Sequence, residues 1–137
     1  MIGAAQLPCE SFVLAIVAED LEPGEGDPVF VSQLLLVSEG FVVRARSRVT
    51  RREANELGRD VAALVAGKTK ELSFQTESGH LYLSLTPAKA SRSGALLHIT
   101  GHVVQAGTGV LSAFESRTDR SMLQSFGDDL RVFPYAG

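Results

Sequence analysis

The stretch from Val49 to Gly67, VTRREANELGRDVAALVAG, constrains this chain more than any other, because it reads as one amphipathic helix and separates two blocks of strand-like sequence. Thr50 is an N-cap residue and Glu53 follows at capping-box spacing. Ala54, Leu57, Val61, Leu64 and Val65 recur at helical intervals and line one face. Arg52, Glu56, Arg59 and Asp60 fall on the other, with Arg52 and Glu56 one turn apart. Gly67 can take the positive φ that ends a helix, and Lys68 adds charge near its negative end. Gly58 weakens the helix by about 1 kcal/mol relative to alanine. In exchange it lets another element approach the backbone. The apolar face is small, which places the helix near a sheet.

Ahead of this helix, residues 1–11 read as a loose lead-in. Phe12–Ala18 is apolar on both strand faces and reads as a buried strand. Glu19 to Asp27 holds five acids among Pro23, Gly24 and Gly26 and reads as a solvated loop, since its spacing is not that of a calcium-binding loop. Val29–Val37 and Phe41–Val49 flank a tight turn at Ser38-Glu39-Gly40 and form a hairpin. In the second of these strands Phe41, Val43, Ala45 and Val49 point inward. Arg44, Arg46 and Arg48 point outward, in a row about 13 Å long at roughly 6.6 Å per residue pair. Arg51 and Arg52 lie just beyond. These five arginines are the candidate partner contact; the plainer reading is an exposed strand face paired with acids on neighbouring strands.

After the helix, Glu71–Thr76 and Leu81–Leu85 form a second hairpin, and Thr86–Gly94 is a polar loop. Ala95–Gln105 and Val110–Ser116 pair across Ala106-Gly107-Thr108-Gly109. Thr118 or Asp119 caps a second helix, with Leu123, Phe126, Leu130 and Phe133 on its apolar face, Gly127 in its interior and Pro134 past its end. The expected fold is a single α+β domain over residues 1–137. It holds an antiparallel sheet of about seven strands in two meander blocks, each followed by a helix (βββ-α-ββββ-α), with no internal repeat evident in sequence. Helices on one face of such a sheet leave the other short of cover, and a second copy of the chain, as a homodimer, is one way to supply it.

With 137 residues and 45% hydrophobic content, the chain can bury a proper core. A net charge of −3 gives no global reason to expect nucleic acid. One cysteine, Cys9, rules out an internal disulfide framework and fits a reducing cytoplasm. No apolar run reaches the roughly 20 residues of a membrane span, and no basic segment opens a secretory signal.

No catalytic, cofactor or metal signature emerges. Gly67-Lys68-Thr69 lacks the earlier glycine of a phosphate-binding loop and ends a helix instead of starting one. His98 and His102, four apart on a strand, sit about 13 Å from each other, too far to share a zinc ion. His80 stands alone beside a turn. Cys9 has no base near it in sequence, and Asp128 and Asp129 diverge on their helix.

The run from Val49 to Gly67, ELSF at Glu71–Phe74, LYLSL from Leu81, TDRSML from Thr118 and DLRVF from Asp129 together resemble a family of small bacterial immunity-type proteins, similar to the partners of wall-associated toxins. The resemblance covers residues 40–133. Arg120 stands where many of those relatives have glutamine, and Met122 where they have an aromatic residue. The resemblance implies a cytoplasmic, non-enzymatic protein that binds and neutralises a toxin domain, with no catalytic residues. The alternatives are a small-ligand-binding domain or enzyme whose site is assembled from distant residues, and a homo-oligomeric scaffold.

Overall fold

The computed structural model describes residues 1–88 and 95–134, so most of the expected 86–94 loop lies outside the described residues. The chain forms β1 (Gly3–Pro8), β2 (Val13–Leu21), β3 (Val29–Ser38), β4 (Phe41–Thr50) and α1 (Arg51–Val65), then β5 (Leu72–Gln75), β6 (Leu81–Pro87), β7 (Leu96–Val104), β8 (Leu111–Asp119) and α2 (Arg120–Arg131). The α+β class and the two antiparallel blocks with their trailing helices are as expected. Two details differ. There are two four-stranded sheets, β1-β2-β3-β4 and β5-β6-β7-β8, not one of about seven strands. The eighth strand lies inside the expected loose lead-in. There β1 pairs with β2 from Gly3↔Ala18 to Pro8↔Val13, because Ala5 and Leu7 alternate with Ala4 and Gln6 and reach full burial.

Each sheet turns one face inward, and these faces share a single core with both helices. Leu7, Leu14, Ile16, Phe30 and Leu34 come from the first sheet, Leu81, Leu83, Leu85, Ile99 and Val103 from the second. The helices add Leu57, Val61, Leu64, Leu123, Phe126 and Leu130. Edge-to-face ring pairs join Phe12 to Phe114 at 5.3 Å and Phe30 to Phe133 at 6.0 Å.

Both helix caps form. Thr50 accepts from the Glu53 amide at 3.1 Å and donates its hydroxyl to Glu53 Oε2 at 3.2 Å. At α2 the cap is Asp119, which accepts from the Met122 amide at 2.8 Å; that bond, with one from the Ser121 hydroxyl, holds the Asp119 carboxyl below the usual range. The helices pack mainly on each other, at Gly58 and Gly127. A Cβ on Gly58 would lie 2.9 Å from the Arg131 nitrogen and the Gly127 oxygen; one on Gly127 would lie 2.9 Å from Val61 Cγ1. Arg120 Nη1 donates to the carbonyls of Leu64 and Val65 at 2.8 and 3.0 Å, placing positive charge at the C-terminal end of α1.

The chain is a structural duplication. Gly58 stands eight residues past its cap Thr50, and Gly127 eight past Asp119. Arg51/Arg120, Leu57/Phe126 and Val61/Leu130 hold equivalent places in the two helices. Two equivalent positions that meet each other define a pseudo-two-fold axis through the helix pair. The seams between the sheets obey it as well. Ser116 Oγ in β8 accepts from the Ser11 amide at 3.0 Å; its equivalent, Ser47 in β4, shares hydrogen bonds with Ser78 Oγ and His80 Nδ1, both at 2.9 Å. Each block's last strand thus ties to the other block's first hairpin.

Candidate partner interface

The outward faces of the two sheets carry different chemistry. Register places four cross-strand rows on the outside of the first sheet. They run Pro8-Val13-Val37-Val42, Gln6-Ala15-Leu35-Arg44, Ala4-Val17-Gln33-Arg46 and Asp20-Val31-Arg48. The middle of this face is therefore apolar, bordered on the β4 edge by arginine. The helices lie against the inner faces, so this one is not covered by them: Val42 is 52% and Val37 39% exposed. Phe41, expected inward, shares the side of Val43 but is 61% exposed, because it sits at the hairpin tip beyond the core. Contiguous apolar surface with a polar border is what marks a contact site on a folded protein.

Arg44, Arg46 and Arg48 all lie outward and exposed, as the alternation predicts. Their surroundings differ. Arg48 makes a two-pronged ion pair with Glu22, both bonds 2.7 Å, which tethers the acidic loop after β2. Neither Arg44 nor Arg46 has a side-chain ion pair among the described residues. Arg51 and Arg52 do not extend the row, since the helix begins at Arg51 and turns both away from the strand. Arg52 pairs with Glu77 at 3.1 Å, and that contact raises its already high pKa. Of the five arginines, the structure groups three on one strand and gives two of these no carboxylate partner among the described residues.

The outer face of the second sheet is polar. Tyr82 stacks on His102 with centroids 5.3 Å apart, and His98 Nε2 lies 3.5 Å from Glu115. The two histidines sit on the same face of one strand, each with its own neighbour. Among the described residues no group of three or more His, Cys, Asp or Glu side chains is placed to hold a metal ion. His80 and Ser47 do meet, but Ser47 is 4% exposed and its hydroxyl closes a chain through Ser78 to Thr76. That hydroxyl network fastens β4 to the turn before β6. Cys9 is half-buried and burial pushes its thiol up to about 12, so it stays protonated and poorly nucleophilic at neutral pH.

The apolar centre of the first sheet's face was readable in the two-sided apolar runs of β2 and β3. The missing acids opposite Arg44 and Arg46 were not, because sequence shows spacing along a strand and not which loop folds back on it. No described helix is long and apolar enough to cross a membrane.

No protein-family model matches the chain, and no curated protein matches it. Among solved structures, it is similar in shape to a chain of the trypanosoma bruciei MRP1/MRP2 crystal structures, at 12% identity and a TM-score of 0.44, over 89% of this chain and 74% of that one. A likeness of that degree supports no statement about function.

Proposed function

We propose that this is a non-catalytic protein-binding domain whose contact surface is the outer face of the first sheet. The observation that carries the reading is the juxtaposition of an apolar patch, exposed at Val37 and Val42 and half-buried at Val13, Val17 and Leu35, with two cations, Arg44 and Arg46, that have no ion pair among the described residues. The partner that fits presents apolar surface rimmed by aspartate or glutamate. Burying the patch supplies affinity, and the arginines supply orientation and association rate. The resemblance to immunity-type proteins makes a toxin domain of the same cytoplasm the first partner to test.

The test measures affinity for a toxin domain encoded beside this gene, with wild-type chain and with the Arg44→Ser/Arg46→Ser pair, at about 50 and 300 mM salt. The screening length shrinks across that range, so attraction between rim charges fades. The reading expects weaker binding by the variant and a shallower salt dependence, with the fold intact. Unchanged affinity removes the arginine surface. A wild-type chain that sediments as a dimer, and becomes monomeric on Leu35→Lys, identifies a second copy as the occupant instead.

A further inference from the structure

The first sheet carries, at the end of its own outer face, the kind of acidic group that its arginines lack. Val37 and Val42 belong to the wholly apolar row Pro8-Val13-Val37-Val42. Arg44 stands one row to one side of it, two residues past Val42 on β4. Glu39 stands one step to the other side, two residues past Val37 in the β3–β4 turn. Both are exposed, and neither has an ion pair among the described residues. At about 6.6 Å per residue pair, the apolar row lies midway between them. Within one chain about 13 Å of strand, occupied by the two valines, keeps the two charges apart.

A two-fold axis laid along the apolar row, in the plane between two facing sheets, brings opposite charges together across copies. It sets the row on its own copy, valine on valine. It also exchanges the two sides, so that Glu39 of each copy faces Leu35 and Arg44 of the other. Other two-folds do worse. An axis parallel to the strands sets the arginines over Ala4 and Gln6 of β1, which offer no carboxylate. An axis along the row of Arg44 sets arginine on arginine.

We propose that the occupant of the contact face is a second copy of this chain, joined about the Val37–Val42 row and held in register by two reciprocal Glu39–Arg44 ion pairs. The proposal rests on the reading of this face as a protein contact. It names for that contact a partner of the chemistry already derived, apolar surface rimmed by glutamate. Four strands wide and three rows deep, the overlap measures about 20 Å by 20 Å. That is about 400 Å² per copy against the roughly 800 Å² of a standard interface, so the dimer is a weak one that forms in the micromolar range.

The experiment is sedimentation velocity of the full chain across the micromolar range, at about 50 and 300 mM salt. A concentration-dependent dimer is expected, weaker at the higher salt. Glu39→Arg and Arg44→Glu each set like charges together twice per dimer, and each should weaken it by about ten-fold or more. The double variant Glu39→Arg/Arg44→Glu restores both pairs, and its dimer should return to within about three-fold of wild type. Val37→Lys, which meets its own copy on the axis, should abolish the dimer. A folded chain that stays monomeric overturns the proposal. So does a dimer that either charge reversal leaves intact, or that the double reversal fails to restore. Toxin binding is read separately. A monomeric chain whose toxin affinity falls on Arg44→Ser/Arg46→Ser overturns the dimer and keeps the contact face, whereas a chain that neither dimerises nor binds overturns both.

Discussion

Replacing Gly58 by alanine sets two effects of known sign against each other. Gly58 sits mid-helix, where alanine is favoured by about 1 kcal/mol on propensity alone. A helix that faced solvent there would be stabilised. Here the new Cβ would meet the Arg131 nitrogen and the Gly127 oxygen at 2.9 Å, and Arg131 Cγ at 2.8 Å. The arginine side chain can swing away, but the two backbone atoms move only if α2 moves as a body. Overpacking of this kind costs about 1–3 kcal/mol, and the rigid contact puts Gly58→Ala toward the upper end. Subtracting the propensity gain leaves a net loss of about 1–2 kcal/mol. For a chain of this size that is a fall in Tm of about 3–8 °C. Gly127→Ala meets a valine side chain instead, Val61 Cγ1 at 2.9 Å, which can yield in part, so it should cost less. The assay is urea and thermal denaturation of both single variants and the pair, with the m-value checked for constancy. Because both substitutions push the same helices apart, the pair should cost less than the two losses added together. A Gly58→Ala chain with a raised Tm would refute the close helix contact.

Two further predictions concern buried titratable groups. With its thiol pushed up to about 12, native Cys9 should react with iodoacetamide at pH 8 about a thousand times more slowly than a thiol with the ordinary value of 9.0, as thiolate fractions dictate; a native rate within ten-fold of the urea-unfolded rate would contradict this. Glu53 is 4% exposed, and burial raises its pKa against the opposing bond from Thr50. A folded pKa above the unfolded 4.5 means this group favours folding below that pH, and the contribution is lost as pH rises through the folded value. Stability of Glu53→Gln relative to wild type, from denaturation at several pH values, should therefore improve between about pH 4 and pH 7; a trend in the opposite direction would sink the assignment.

The helices were legible because their signals are local. Thr50 with Glu53, and Asp119 ahead of Leu123 and Phe126, announce start, face and register within a few residues. Strand β1 was missed because GAAQLP is built of small side chains, and its alternation of Ala5 and Leu7 inward against Gln6 outward spans too few residues to stand out. The division into two sheets was missed for another reason. Hairpin turns show which strands are consecutive, but not that α1 carries the chain away from β4, so that β5 opens a new sheet. The duplication was hidden because equivalent positions keep size and role but not identity: threonine and aspartate both cap, and leucine and phenylalanine both fill the helix face.

That same divergence argues where function lies. The inner positions of the two halves had to stay compatible, because they share one core across a pseudo-two-fold axis. The outer positions had no such constraint, and they have moved apart. Arg46 is answered by Glu115, Arg44 by Ala113, and the apolar face of β2 and β3 by the Tyr82–His102 stack and a run of hydroxyls. Symmetric packing accounts for what the halves share. It does not account for an apolar face bordered, on one half alone, by two arginines with no ion pair among the described residues. Those departures lie together on one face of one sheet, and the contact surface proposed above would account for their being together.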